Sequence, residues 1–111
     1  MIQELLFTAA LLTAPSAVDP PDDPNFTTCV APGDGVPLRW ENQTQRVYLL
    51  VKRREGMQWK TWLKSYAKGS PFLLKMRSPQ ARNGQFAWML FTVANGTFYK
   101  GEWYYFCTTD Q

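Results

Sequence analysis

Two cysteines, Cys29 and Cys107, and no histidine constrain this 111-residue chain more than any other feature. Without histidine the chain lacks the usual general base and the commonest metal ligand. A Ser-His-Asp or Cys-His catalytic centre is excluded, and two cysteines alone cannot complete a structural zinc site. The seven glycines are scattered and form no phosphate-cradling loop. Glu41, Glu55 and Glu102 stand far apart and suggest no acid–base pair. The expectation is a protein that is not an enzyme and that holds neither metal nor cofactor. With 45% hydrophobic and 15% aromatic residues there is enough apolar material for one core, not two.

The compartment follows from the first half of the chain. LLFTAALLTA, residues 5–14, has the length of a secretory apolar core, and Ala14-Pro15-Ser16 places small residues where a signal peptidase reads. Residues 1–16 are therefore expected to be a signal peptide, although the segment before the apolar run carries Glu4 and no Lys or Arg. The run is too short to span a bilayer. Three of the four asparagines, Asn25, Asn42 and Asn95, begin N-x-T sequons, far more than chance would place in this composition. Together these features point to a secreted protein or the outer side of the plasma membrane. In such a chain two cysteines read as one disulfide. Closing a loop of roughly eighty residues would stabilise the fold by about 4 kcal/mol on the chain-entropy account.

Residues 17–25, rich in proline and aspartate, read as an extended lead-in to a domain spanning 26–111. Within it, VPLRW (36–40), RVYLLVKR (46–53), PFLLKMR (71–77), QFAWMLFTV (85–93) and FYKGEWYYFC (98–107) read as strands, with Asn83-Gly84 as a turn. One segment differs. Between 57 and 68, Trp59, Trp62, Leu63 and Tyr66 fall at helical spacing, with Lys60, Lys64 and Lys68 opposite and Gly69 as a C-cap, so a short helix is expected there. The class is all-β, a two-sheet sandwich.

Trp40 follows Cys29 by eleven residues, and Tyr105 precedes Cys107 by two. This set resembles the immunoglobulin superfamily, and the long interval after Trp40 resembles its variable type. The resemblance implies an inter-sheet Cys29–Cys107 disulfide with Trp40 packed against it and Tyr105 buried as a "tyrosine corner". The family's last strand, which would follow Cys107, is absent from the chain. That leaves an edge to be covered by a continuation past residue 111, by the joining of a second segment, or by the lead-in or another chain. If Cys107, Tyr105 and Trp103 point inward, Tyr104 and Phe106 point outward, on a face suited to a protein ligand, a receptor or a dimer partner.

Charge offers a competing surface. Residues 46–82 carry ten Lys or Arg against one acid, Glu55. Arg46, Lys52, Arg53, Arg54, Lys60 and Lys64 could serve an acidic glycan, whereas nucleic acid is disfavoured by the secretory features. A third expectation is a structural ectodomain of a larger receptor, of host or viral origin. The sequons yield a direct check. Protein expressed through the secretory pathway should lose mass on enzymatic deglycosylation, with sugar mapped to Asn25, Asn42 and Asn95; an unchanged mass would remove the compartment assignment.

Overall fold

The computed structural model describes residues 14–41, 46–67 and 69–110. Its elements are β1 (Val36–Leu38), β2 (Val47–Glu55), β3 (Gln58–Ala67), β4 (Phe72–Leu74), α1 (Pro79–Arg82), β5 (Gln85–Ala94), β6 (Thr97–Lys100) and β7 (Tyr104–Cys107). The larger sheet has the order β3-β2-β5, with β6 and β7 both pairing along the remaining edge of β5; β1 and β4 form the smaller sheet, and all these pairings are antiparallel. The fold is thus the expected all-β, two-sheet sandwich with a disulfide, compatible with an immunoglobulin-like architecture.

Side-chain alternation builds the core. Along β2, Val47, Leu49 and Val51 are buried while Tyr48, Leu50 and Lys52 turn to the opposite side. Phe86, Trp88 and Leu90 of β5 meet Val36, Leu38 and Leu74 of the smaller sheet in one apolar cluster, which also holds Trp40 and Met76. β5 is buried from Phe86 to Thr92, as its near-continuous apolar sequence requires. Two turns follow local chemistry. Gly56, at φ +63°, links β2 to β3, and Asn95-Gly96, at φ +53° and +76°, forms the β5–β6 turn with both central residues left-handed. Asn83 instead ends α1, whose N-cap Ser78 accepts a hydrogen bond from the Ala81 N–H at 3.2 Å.

The expected helix over 57–68 is replaced by β3. Its register against β2 shifts between Val51 and Lys52 and leaves Trp62 without a partner residue. Residues three apart lie on opposite faces of any strand, so helical spacing alone does not exclude one. The bulge, where two successive residues oppose one, shifts the phase so that Tyr66 shares the face of Trp59. Trp59 lies on one side, against Tyr105, and Trp62 on the other, against Phe86.

The edge of β7 is occupied. The Asp23 N–H donates to the Tyr105 carbonyl at 2.6 Å, and the Tyr105 N–H donates to Asp22 Oδ1 at 3.0 Å. Further on, the Val30 N–H donates to the Cys107 carbonyl at 2.9 Å and the Thr109 N–H to the Val30 carbonyl at 3.1 Å. Val30 and Thr108 form a parallel bridge. The end of the proline- and aspartate-rich lead-in and the residues after it, up to Val30, are therefore packed along the edge of β7 that faces away from β5. The Cys29–Cys107 disulfide, with Cα atoms 4.6 Å apart, ties β7 to this segment just before it enters the smaller sheet. Cys107 is buried but Cys29 is exposed, and the cluster holding Trp40 does not include Cys107.

The strand phase at β7 is the reverse of the expected one. Phe106 is 2% exposed and stacks on Phe86 with centroids 5.3 Å apart; Tyr104 packs on Trp88 at 4.9 Å. Tyr105 and Cys107 lie opposite Ala87 and Gln85, on the other side of the sheet. Phe106→Ala should therefore cost about 3–5 kcal/mol in urea unfolding, against about 1–2 kcal/mol for Tyr105→Ala. The opposite order would show that β7 is out of phase.

Asp23 anchors the lead-in. Its Oδ2 accepts the Thr28 and Thr27 N–H groups, both at 2.8 Å, and the Thr27 hydroxyl at 3.0 Å. These bonds, the one from Thr28 foremost, hold its carboxyl below the ordinary carboxylate value. A depressed folded value contributes stability that is present above the unfolded value and lost as pH falls through the folded one. The urea midpoint of the wild type should thus drop more on acidification below the ordinary carboxylate range than that of Asp23→Ala; parallel profiles would contradict this anchoring role.

Candidate recognition surface

The smaller sheet covers one side of the larger sheet. The other side is covered by no layer of secondary structure among the described residues, yet its floor is apolar. Ala87, Met89 and Phe91 of β5 are 3–5% exposed there, with taller side chains beside them. Register sets the arrangement. Tyr66, Tyr48 and Phe91 stand side by side across β3, β2 and β5. Tyr48 stacks on Phe91 at 5.3 Å and meets Tyr66 at 5.9 Å, while Phe98 of β6 meets Phe91 at 5.7 Å. Towards the opposite end, Lys52, Ala87 and Tyr105 form a second row across β2, β5 and β7.

The small side chain of Ala87 makes the difference between the rows. It leaves a hollow of about 220 Å³ framed by Trp59, Trp103, Tyr105 and Lys52. Trp59 and Tyr105 meet edge-on at 6.0 Å, and Phe26 closes their outer side at 6.2 and 6.3 Å. Phe26, immediately after the lead-in, reaches them with φ at +54°, a conformation that bulky residues rarely adopt. The Lys52 ammonium lies 5.6 Å from the centroid of the Trp103 ring. A second hollow of about 210 Å³ opens between Met89 and Phe98, with Lys64 and Lys100 beside it.

The basic residues named from the sequence divide between the two sides. Lys52, Arg54 and Lys64 share the open face by strand alternation, and Arg46 lies over the Tyr66 ring at 5.1 Å. Arg53 and Lys60 oppose one another on the other side. There the Arg53 Nε–H donates to the Gln80 carbonyl at 2.9 Å, and Lys60 pairs with Glu55 at 2.9 Å. The hydrogen bond from Lys60 holds the Glu55 carboxyl below its ordinary value. Arg54 donates to the Gly56 carbonyl at 3.0 Å. The six residues therefore do not form one basic patch.

The two aromatics expected to meet a partner also move. Phe106 belongs to the core. Tyr104 is largely turned inward, and burial pushes its hydroxyl above the usual phenol value, aided by the charges of Glu102 and Asp22. Tyr105, expected in the core, faces outward instead. Trp59 and Trp103 complete the face; the first lies in a segment with an apparent helical pattern, and the second shares the strand phase of Cys107, expected to point inward. Asn25 and Asn95 are exposed, while Asn42 lies outside the described residues. Protein-family models, curated proteins and solved structures yield no match to this chain.

Proposed function

We propose that this chain is a secreted or cell-surface recognition domain of variable-type immunoglobulin character that binds a protein partner through the open face of its larger sheet. The observation carrying this reading is a set of exposed aromatics on the side of the larger sheet that no layer of secondary structure covers among the described residues, standing around Ala87, Met89 and Phe91. Tyr66, Phe98 and Trp103 are 46%, 55% and 36% exposed. Contiguous apolar surface of this kind marks interaction sites on soluble proteins, and Trp, Tyr, Phe and Met are the side chains that interface centres favour. The disulfide and the sequons support an extracellular setting. Among the described residues no helix is long and apolar enough to cross a membrane.

An acidic glycan held by the basic segment has less support, because Arg53 and Lys60 lie away from the other cations and already have partners. The two readings separate in a cell-binding assay with the multimerised, secreted domain. The double variant Trp103→Ala, Tyr105→Ser should weaken staining at least roughly 30-fold, equivalent to about 2 kcal/mol, and protease treatment of the cells should abolish it. Staining that survives this variant but disappears with Arg53→Ala, Arg54→Ala, in moderate salt or after polysaccharide lyase would replace the protein partner with a glycan.

A further inference from the structure

We propose that the partner presents a carboxylate side chain to Lys52, seated in the hollow framed by Trp59, Trp103 and Tyr105; this rests on the reading that the open face is a docking surface. Lys52 stands on β2, in the interior of the sheet rather than on its rim, and is half-buried. Its ammonium has the Trp103 ring beside it and no carboxylate partner among the described residues. Open to solvent, that charge is hydrated. A protein that docks over the hollow removes the water, and a desolvated ammonium left without a counter-charge opposes binding strongly. An aromatic ring replaces only part of the lost hydration. The docking group must therefore bring an anion to this point.

The charge balance of the face points the same way. Arg46, Lys64 and Lys100 accompany Lys52, whereas the only carboxylate carried by the strands of the larger sheet is Glu55, on the opposite side and paired with Lys60. Glu102, exposed in the loop before Trp103, makes no ion pair with Lys52. A second copy of this chain would bring the same uncompensated cations and repel, so the counter-charge belongs to a different protein. The form of the hollow also suits a glutamate or aspartate. Its volume of about 220 Å³ admits a side chain, its aromatic walls take the methylene stem, and its cation meets the carboxylate.

The test uses a randomised linear peptide library displayed on phage, selected on the immobilised glycosylated domain with heparin present to block simple polyanion binding. Enriched peptides should contain an essential Asp or Glu, and changing it to Asn or Gln should weaken binding at least tenfold on the wild type. On Lys52→Met, which keeps the stem and removes the charge, the same peptide change should have almost no effect. Ala87→Leu, which fills the hollow, should abolish binding; Lys52→Met keeps the test valid if that variant does not fold. A peptide carboxylate that is dispensable, or equally important on Lys52→Met, overturns the carboxylate assignment while leaving the docking face intact. Peptides that bind Tyr105→Ser and Ala87→Leu as tightly as the wild type overturn the docking face itself. The methyl glycoside of N-acetylneuraminic acid, titrated against the labelled domain, provides the remaining arm. Resonance shifts at Lys52 and Trp103 with this sugar, and no enriched acidic peptide, would assign the hollow to an acidic sugar instead.

Discussion

The contact on which the open face depends is the seam between the lead-in and β7. Backbone hydrogen bonds from Asp23 and Val30 to the carbonyls of Tyr105 and Cys107 cover the edge of β7 that faces away from β5. The Cys29–Cys107 disulfide holds the two segments together at one end of this seam, and the Asp23 carboxylate organises the turn at the other. Phe26 lies between these anchors, and its ring completes the aromatic wall beside Trp59 and Tyr105. The disulfide thus does more than restrict the unfolded chain. It helps to place part of the candidate site.

The central strand builds both the core and the open face. Phe86, Trp88 and Leu90 on one side of β5 belong to the core between the sheets. On the other side Ala87, Met89 and Phe91 form the floor of the open face. Alternation keeps the two sets apart, so the outer positions can be changed without opening the core. Ala87 illustrates the separation. It lies on the central strand of the sheet, yet its short side chain leaves the hollow between Lys52 and Tyr105 on the open face.

The same alternation sorts charge. A run of basic residues that looks continuous along β2 and β3 is divided by the sheet into cations that stand over aromatic rings and cations held at the far side by Gln80 and Glu55. A polyanion site needs many such charges in one field. An aromatic surface with a few uncompensated cations instead suits the partner proposed above, one with apolar anchors and matching acids.

The residues themselves determined the class of this protein. Alternating β-branched and aromatic runs specify strands, and the two cysteines form one disulfide. Two local signals also carried structure in plain form. Asn95-Gly96 is a hairpin turn as well as part of a sequon, and Gly56 is the other hairpin turn. What the sequence left undecided was which way each strand faces. Tyr104, Tyr105 and Phe106 are all bulky and apolar enough for either side, so the choice waits on pairing with β5 and on the segment that covers Cys107. Tyr66 shares a face with Trp59, seven residues before it, only because β3 slips once in its register against β2. A one-residue change of phase exchanges core and surface along a whole strand, and pairing between segments distant in sequence sets that phase.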